Sequence, residues 1–234
     1  MPFTFKQFFV DDNRSALKVG TDAVLLGAWA DAAGCTTILD AGTGCGIIAL
    51  MLAQRFQARI HAIDIDPGSI EDARENFSRS PWSDRLSSEV ADLRKYPAEH
   101  SGQYDLIVCN PPFYSNQLKS PSREKNISKH DNSLNFMEFL VAAERLLNRS
   151  GRISVILPWE AHSEFNILAM GTGFHIWRET PVQTQAGKDD GRILLEYGLA
   201  SPVSIRRSNL TIRDTNGNYT DAYKMLTGAF YLKF

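Results

Sequence analysis

Hydrophobic residues are distributed along this chain in two alternating patterns, short apolar runs and longer segments with a helical repeat. From Thr36 onward, each run that is typical of a buried strand precedes a segment that is typical of a helix. Strands that alternate with helices indicate a parallel sheet covered by helices on both faces. The predicted strands are 36–41, 59–65, 85–92, 104–110 and 151–158, and the predicted helices are 46–56, 67–80 and 134–148.

The N-terminal segment departs from this alternation. Residues 3–19 are aromatic-rich and then apolar around the polar stretch Asp11–Arg14, which predicts a hairpin-like extension that turns there. Thr21 or Asp22 is placed to cap a helix that ends near Asp31. Phe3, Phe5, Phe8 and Phe9 fit either a lid over a site or, more in keeping with their apolar character, one face of the core.

The C-terminal third is predicted to close the sheet. A strand at 174–182 and another at 192–199 predict an antiparallel hairpin, and 203–214 indicates one more strand. Helices are predicted at 159–171 and 219–231. We therefore predict an α/β protein of the Rossmann-like type, with a mostly parallel seven-stranded sheet, helices on both faces and an antiparallel strand near the C-terminus. We expect one domain over residues 1–234, with residues 1–34 packed on it as an extension.

Composition and charge exclude several classes of protein. The 234 residues are 43% hydrophobic and 22% charged, and there is no apolar run near the roughly 18 residues of a membrane span. The first residues lack the basic start and apolar core of a secretory signal, so we expect a cytoplasmic protein without a membrane partner. The net charge of -2 argues against binding nucleic acid through overall charge, so such a partner would need a local basic patch. Cys35, Cys45 and Cys109 lack metal spacing, which predicts buried thiols and no bound metal.

A glycine-rich turn follows the first predicted strand of the sheet. It reads Asp40-Ala-Gly42-Thr-Gly44-Cys-Gly46 and opens a predicted helix. Glycines let the main chain turn sharply and let a ligand approach it closely, and the carboxyl edge of a parallel sheet is where such folds bind ligands. The spacing differs from the dinucleotide motif and from the P-loop. A tight turn without a ligand is the alternative interpretation.

Acidic residues follow the next two predicted strands. Asp64, at the end of the second strand, can accept hydrogen bonds from both hydroxyls of a ribose, and its alternative is a capping or surface acid. Asp66 precedes Pro67 and is the better candidate for capping the next helix. Asp92 can accept from an adenine amino group, although a plain turn aspartate is nearly as good an interpretation.

The motif that indicates the reaction is Asn110-Pro111-Pro112-Phe113, directly after a predicted buried strand. Two prolines remove two backbone donors, which leaves the Asn110 side-chain oxygen and the Pro111 carbonyl as rigid acceptors. Acceptors of this kind suit an NH2 group with two hydrogens to donate. Phe113 offers a flat face to a flat ring. A rigid turn with a core Phe is the alternative.

Together, the D-x-G-x-G-x-G and N-P-P-F motifs resemble those of Rossmann-like amino-nitrogen methyltransferases. Within that group, the chain is similar to the bacterial valine-tRNA adenine-37 N6-methyltransferase family, and the likeness includes the segments at 3–10, 17–30 and 218–234. The resemblance implies S-adenosylmethionine as cofactor, tRNA as substrate and direct methyl transfer to adenine N6 without a general base. It also implies a place for Asp22 in the cofactor pocket, whereas the residues alone favour a helix cap.

Two groups of cations are candidates for contacting RNA. Lys119, Arg123, Lys125 and Lys129 follow the N-P-P-F motif in a polar loop, where they can hold phosphates or form a solvated surface loop. The second group is Arg206, Arg207 and Arg213. These cations fit equally well an RNA-contacting patch and an exposed strand with alternating cations.

Three other functions compete with the tRNA prediction. A glutamine-amide protein N5-methyltransferase and an rRNA guanine-N2 methyltransferase need the same acceptors facing an NH2 group. The first usually has Tyr after its two prolines, where this chain has Phe113, and the second is often longer. A catalytically inactive RNA-binding module is the non-enzymatic alternative, and the intact motifs argue against it. We expect a monomer.

Overall fold

A computed structural model describes residues 2–111 and 134–233 of the protein. The strands are β1 (Phe3–Thr4), β2 (Phe9–Val10), β3 (Thr37–Ala41), β4 (Arg59–Asp64), β5 (Leu86–Val90), β6 (Tyr104–Cys109), β7 (Leu147–Pro158), β8 (His175–Gln185), β9 (Asp190–Gly198), β10 (Arg206–Arg207) and β11 (Leu210–Arg213). The helices are α1 (Thr21–Trp29), α2 (Ile47–Arg55), α3 (Pro67–Ser78), α4 (Phe136–Leu146), α5 (His162–Gly171) and α6 (Asp221–Thr227).

One large sheet organises the described part of the chain. Its strand order is β10-β8-β9-β7-β6-β3-β4-β5, and β11 also pairs with β8. The five strands from β3 to β7 run parallel, while β9 lies antiparallel between β7 and β8. The predicted fold class, a mostly parallel Rossmann-like sheet with an antiparallel strand near the C-terminus, is confirmed.

The predicted number of seven strands is too low, because the sheet has nine strands within residues 2–111 and 134–233. The two additional strands come from residues 203–214, which form β10 and β11 instead of one strand. Both pair with β8, and the interruption between them carries Ser208, whose amide donates to the Glu179 carbonyl. Its hydroxyl lies 2.7 Å from the Thr180 hydroxyl, so polar contacts replace the ladder at this position.

Alternating side chains of the strands supply two separate hydrophobic cores. In β6, Leu106 and Val108 belong to the core that includes α1, α2 and α3, while Ile107 and Cys109 belong to the core that includes α4 and α5. Burial on both faces explains why the parallel strands read as continuous apolar runs. Among the described residues, no helix has the length and apolar character required to cross a membrane.

The predicted turn of the N-terminal hairpin is wrong. The turn is formed by residues 5–8, between β1 and β2, and not by Asp11–Arg14. Phe5 and Phe8 are buried in the core, whereas Phe3 and Phe9 remain 40% and 37% exposed. Burial of the Phe5 and Phe8 rings fixes the hairpin turn between them, and the polar stretch continues along α3, where the amides of Asp11 and Arg14 donate to Asn76 and Asp72.

The predicted N-cap of α1 is also wrong. Gly20 is the N-cap, and no side chain caps this helix. Thr21 is the first helical residue and Asp22 lies in the first turn, where its carboxylate pairs with Arg192. The Asp22 side chain, which local preference predicted as a cap, forms this long-range ion pair instead. The predicted capping role of Asp66, by contrast, is confirmed, because its carboxylate accepts from the Ser69 amide at 2.9 Å.

Candidate functional site

The carboxyl ends of the parallel strands bring the predicted site residues to one edge of the sheet. Ala41 of β3 is in register with Ile63 of β4 and with Cys109 of β6. The glycine turn, Asp64 and Asn110 directly follow these three positions. The three motifs, which are far apart in sequence, therefore meet at the edge where α/β folds bind their ligands.

The glycine turn combines one packing requirement with an open surface. Gly42, Gly44 and Gly46 all have positive φ, at 71°, 55° and 85°. At Gly46 a Cβ atom would lie 2.5 Å from the Phe77 ring, so this glycine is required where the turn packs against α3. At Gly42 and Gly44 a Cβ atom would meet nothing within 4 Å. The main chain of these two glycines is accessible to a ligand.

Asp40 is a fully buried acid beneath the turn. Its Oδ2 accepts from the Thr43 hydroxyl at 2.7 Å and from the Ala49 amide at 3.1 Å. No hydrogen-bond partner for its Oδ1 is found within residues 2–111 and 134–233. Burial raises the pKa of Asp40 to about 7. Capacity for a further hydrogen bond to Asp40 therefore remains beneath the turn.

Asp64 connects β4 to the glycine turn. Its Oδ2 accepts from the Gly44 amide and its Oδ1 from the Asp66 amide, each at 2.9 Å. Each carboxylate oxygen can accept a further hydrogen bond, so these contacts leave acceptor capacity for a diol. Burial raises the pKa of Asp64, and the two amide bonds oppose the shift.

Asp92 has the geometry of a turn aspartate. Its Oδ1 accepts from the Arg94 amide at 3.0 Å, and the Arg94 guanidinium contacts both oxygens at 2.8–3.1 Å. The Arg94 hydrogen bonds lower the pKa of Asp92. Its role toward an adenine stays a prediction.

Asn110 is half-buried and Pro111 is buried at the end of β6. The preceding Cys109 is also buried, and burial raises the pKa of its thiol, as do Asp40 and Asp64. Cys45 is buried and Cys35 partly so, and within the described ranges no cluster of His, Cys, Asp and Glu has the arrangement of a metal site. The remaining predicted residues lie outside the described residues: Pro112, Phe113, Lys119, Arg123, Lys125 and Lys129.

Asp22 lies at the same edge but contacts a residue that the sequence did not single out. Its Oδ2 accepts from Arg192 Nε at 2.8 Å. Both residues line a cleft that also includes Arg213 and Tyr219. Arg192 begins the ladder between β9 and β7, and only this strand pairing brings it to α1, so local sequence carries no signal for the contact.

Polar residues of α3 hold the N-terminal segment beside the glycine turn. The Asn76 amide group donates to the Cys45 carbonyl at 2.9 Å and to the Asp11 carbonyl at 2.7 Å. Asp72 is buried and accepts from the amides of Arg14 and Ser15, each at 2.8 Å. Sequence reasoning missed both residues, although two polar positions four apart on an amphipathic helix were a usable signal.

The second predicted cation group does not form one patch. Arg206 and Arg213 pair with opposite ends of β8, at Arg178 and Gln185. Seven residues of strand separate these ends by about 23 Å. Arg206 lies 3.3 Å from the buried Glu196, and Arg207 forms an ion pair with Glu179. Of these three arginines, Arg213 alone lines the cleft that contains Asp22 and Arg192.

Comparisons with known proteins agree with this arrangement. A protein-family model described as a methyltransferase domain matches residues 38–133. A tRNA1(Val) (adenine(37)-N6)-methyltransferase from Phocaeicola vulgatus is 42% identical over 230 residues, which cover 98% of this chain and 97% of the relative.

Two solved structures share the fold. A crystal structure from Agrobacterium tumefaciens, described as a predicted O-methyltransferase, matches with a TM-score of 0.70 and 21% identity over 89% of this chain and 96% of that one. A geranyl diphosphate C-methyltransferase from Streptomyces coelicolor, in complex with Mg2+, geranyl diphosphate and S-adenosyl-L-homocysteine, matches with a TM-score of 0.53 and 13% identity over 70% of this chain and 74% of that one.

Proposed function

Because the chain belongs to the tRNA1(Val) (adenine(37)-N6)-methyltransferase family, we propose that it transfers a methyl group from S-adenosylmethionine to N6 of adenine 37 in a valine tRNA. The observation that carries this proposal is the near full-length similarity to that family, since fold alone does not identify a substrate. The same similarity extends over both termini, which lie outside the common methyltransferase motifs.

The residues at the carboxyl edge fit the cofactor. Gly42 and Gly44 expose main chain where a Cβ atom would meet nothing within 4 Å. Asp64 has acceptor capacity for the ribose hydroxyls, and the buried Asp40 places an acceptor beneath the turn. We assign Asp92 to the adenine end and Asp22 to the rim of the pocket. When bound, S-adenosylmethionine supplies a methyl group on a positively charged sulfur.

Asn110 and Pro111 act on the nitrogen that is methylated. The N6 lone pair of adenine is delocalised into the ring and is a weak nucleophile. The Asn110 side-chain oxygen and the Pro111 carbonyl accept the two N6 hydrogens, which turns the lone pair out of conjugation and toward the methyl donor. Positioning and fixed dipoles supply most of the rate acceleration. No general base is required before attack, because the nitrogen becomes acidic once it is methylated.

The residues after Pro111 complete the proposed substrate site. Pro112 keeps the motif rigid, and Phe113 stacks on the adenine once the base has left the anticodon-loop stack. A loop base is already partly accessible, which lowers the cost of this movement. The cations of the following loop, Lys119, Arg123, Lys125 and Lys129, bind phosphates near the target. The enzyme acts in the cytoplasm, where its tRNA is found, and works as a monomer.

The proposal is tested with an unmodified transcript of the valine tRNA and methyl-labelled S-adenosylmethionine. We expect label in N6-methyladenosine after digestion of the RNA, and no label on a matched transcript that carries guanine at position 37. Ribosomal RNA and a protein with an accessible glutamine are supplied in parallel reactions. Label that appears only on one of these two would overturn the tRNA assignment.

A further inference from the structure

A cleft beside α1 lies at the same edge of the sheet as Asn110. It has a volume of about 290 Å³ and is bounded by α1, β8, β9, β11 and α6. Its polar lining includes Asp22, Arg192, Arg213 and Tyr219. The last three have no part in the chemistry assigned above, so the cleft needs a separate explanation.

The charge of the cleft is positive. Arg192 Nε donates to Asp22 at 2.8 Å and its Nη1 donates to the Gly191 carbonyl at 2.8 Å, so this guanidinium is fixed in place. Arg213 adds a second cation on an exposed strand end. Among the described lining residues, two arginines face one carboxylate, which favours an anionic ligand.

A column of stacked side chains forms one wall. The Tyr219 and Tyr223 rings have centroids 5.1 Å apart and planes within 22°. The Arg213 guanidinium lies over Tyr219, 4.0 Å from its centroid, and its Nη1 donates to the Gly217 carbonyl at 2.6 Å. Flat cations held on aromatic rings are surfaces on which RNA bases stack. A fixed cation beside a stacking surface matches the two parts of a nucleotide.

Strand register relates the cleft to the methylation site. Arg192 pairs with Pro158 at the end of β7, and Cys109 pairs with Val155 of the same strand. Pro158 lies three residues beyond Val155, so Arg192 lies two strands to the side of the end of β6, about 10 Å, and about 10 Å beyond it along the strand direction. Arg213 ends β11, which runs parallel to β8 and extends in the same direction. A separation of about 14 Å between Arg192 and the end of β6 suits a nucleotide a short distance from the target along an unstacked strand.

We propose that the cleft binds a nucleotide that flanks the target adenine in the tRNA. Arg192 and Arg213 contact its phosphate groups, and its base stacks against the Arg213–Tyr219 pair. This inference rests on the proposed function, because it requires an RNA substrate whose target base lies at Asn110.

The first test compares Arg213→Gln with Arg207→Gln. Both remove one exposed arginine, but Arg207 pairs with Glu179 near the opposite end of β8. For Arg213→Gln we expect KM for the tRNA to rise by about tenfold. The slope of the logarithm of the tRNA binding constant against the logarithm of the salt concentration should become shallower by about 1, as for the loss of one phosphate contact. KM for S-adenosylmethionine should be unchanged, and Arg207→Gln should resemble the wild type in both constants.

Three outcomes would overturn the inference. The inference would be wrong if the two variants behaved alike, if KM for the cofactor rose together with KM for the tRNA, or if Arg213→Gln had wild-type constants. Thermal melting of both variants shows whether each is folded, so a folding defect is not read as an effect on binding.

The second test does not depend on turnover. An anticodon stem-loop with 4-thiouridine next to position 37 is cross-linked to the wild-type protein, and the modified peptide is mapped. We expect cross-links within residues 182–192 or 210–223, and cross-links confined to other segments would refute the inference. Cross-linking at the cleft without any methylation of the valine tRNA would overturn the proposed function and leave the RNA-binding cleft in place.

Discussion

Two fully buried acids of the main sheet are held in opposite ways. They lie at the same level of the sheet, because Asp40 of β3 pairs with Val108, Val108 with Ser154, and Ser154 with Glu196 of β9. Glu196 lies within 3.3–3.5 Å of Arg152, Arg178 and Arg206. Asp40 is equally buried, yet its Oδ1 has no hydrogen-bond partner in the described part of the chain. The first acid is neutralised by neighbouring cations, and the second, beneath the glycine turn, is not.

The same contrast applies to exposed arginines that look equivalent in the sequence: one is part of a neutralised cluster and another lines an open cleft. Arg206 and Arg213 are seven residues apart and read alike in the sequence. Arg206 faces the buried Glu196, and the neighbouring Arg178 guanidinium lies 3.5 Å from the Trp29 ring centroid, so this end of β8 is packed and neutralised. Arg213 lies in the open cleft with Tyr219. We therefore expect substitutions at the glycine turn, at Asn110 and in the cleft to affect activity, and substitutions in the cluster around Glu196 to affect stability.

The largest expected effect separates activity from stability at the carboxyl edge. Asn110→Ala removes a side-chain acceptor for the N6 hydrogens, and loss of one fixed polar group at a reacting centre lowers kcat by about 10²–10³-fold. The side chain is partly exposed, so we expect the melting temperature to change by no more than a few degrees. Single-turnover methylation of the valine tRNA measures the first and thermal melting the second. A variant with wild-type kcat would remove Asn110 from the mechanism.

The cluster around Glu196 is tested with Glu196→Ala, for which we expect the opposite result. Three guanidinium groups lose their common carboxylate, and removal of one member of a buried ion pair costs about 3–5 kcal/mol of unfolding free energy. Urea denaturation measures the loss, and kcat at a temperature where the variant is folded should stay near the wild-type value. Glu196→Gln is the matched control, because it keeps a hydrogen-bond acceptor and the side-chain shape. A loss below about 1 kcal/mol would mean that this cluster contributes no more than a surface ion pair.

Much of this fold could be predicted from the sequence, because local patterns determine its repeating parts. Burial on both faces makes the parallel strands continuously apolar, and Asp66 before Pro67 is a local capping signal that the structure confirms. The error at the start of α1 arose because a distant partner binds a side chain that was predicted to cap the helix. Asp22 pairs with Arg192, 170 residues away, instead of capping α1.

The same limit applies to the candidate site. The glycine turn, Asp64 and Asn110 lie at the carboxyl ends of β3, β4 and β6, so the rule for parallel sheets was enough to bring them together. The cleft was not predictable, because Arg192 and Tyr219 meet only through the pairing of β9 with β7 and of β11 with β8. Nothing in the residues next to Arg192 or Tyr219 encodes that pairing.

The smallest expected effect concerns Asp40 and depends on pH. Burial raises the pKa of Asp40 to about 7 from an ordinary value of 3.8, so the folded protein holds a proton there that the unfolded chain releases. The folded state therefore binds more protons than the unfolded state between about pH 4 and pH 7, and stability falls as pH rises through this window. We expect the unfolding free energy of the protein without cofactor to fall by about 2 kcal/mol between pH 5 and pH 7 on account of this group.

Asp40→Asn removes that titration because the amide stays neutral at every pH. The expected difference from the wild type is therefore in the slope of the unfolding free energy against pH, and not in its absolute value. Urea denaturation at intervals of half a pH unit measures both proteins. Asp221→Asn is the matched control, because its carboxylate is fully exposed and the variant should keep the wild-type slope. If Asp40→Asn kept the wild-type slope as well, the buried carboxyl would be ionised throughout the window. The folded protein would then tolerate a buried charge at Asp40 without a neighbouring cation, and the arginine cluster around Glu196 would not be a general requirement for a buried acid in this sheet.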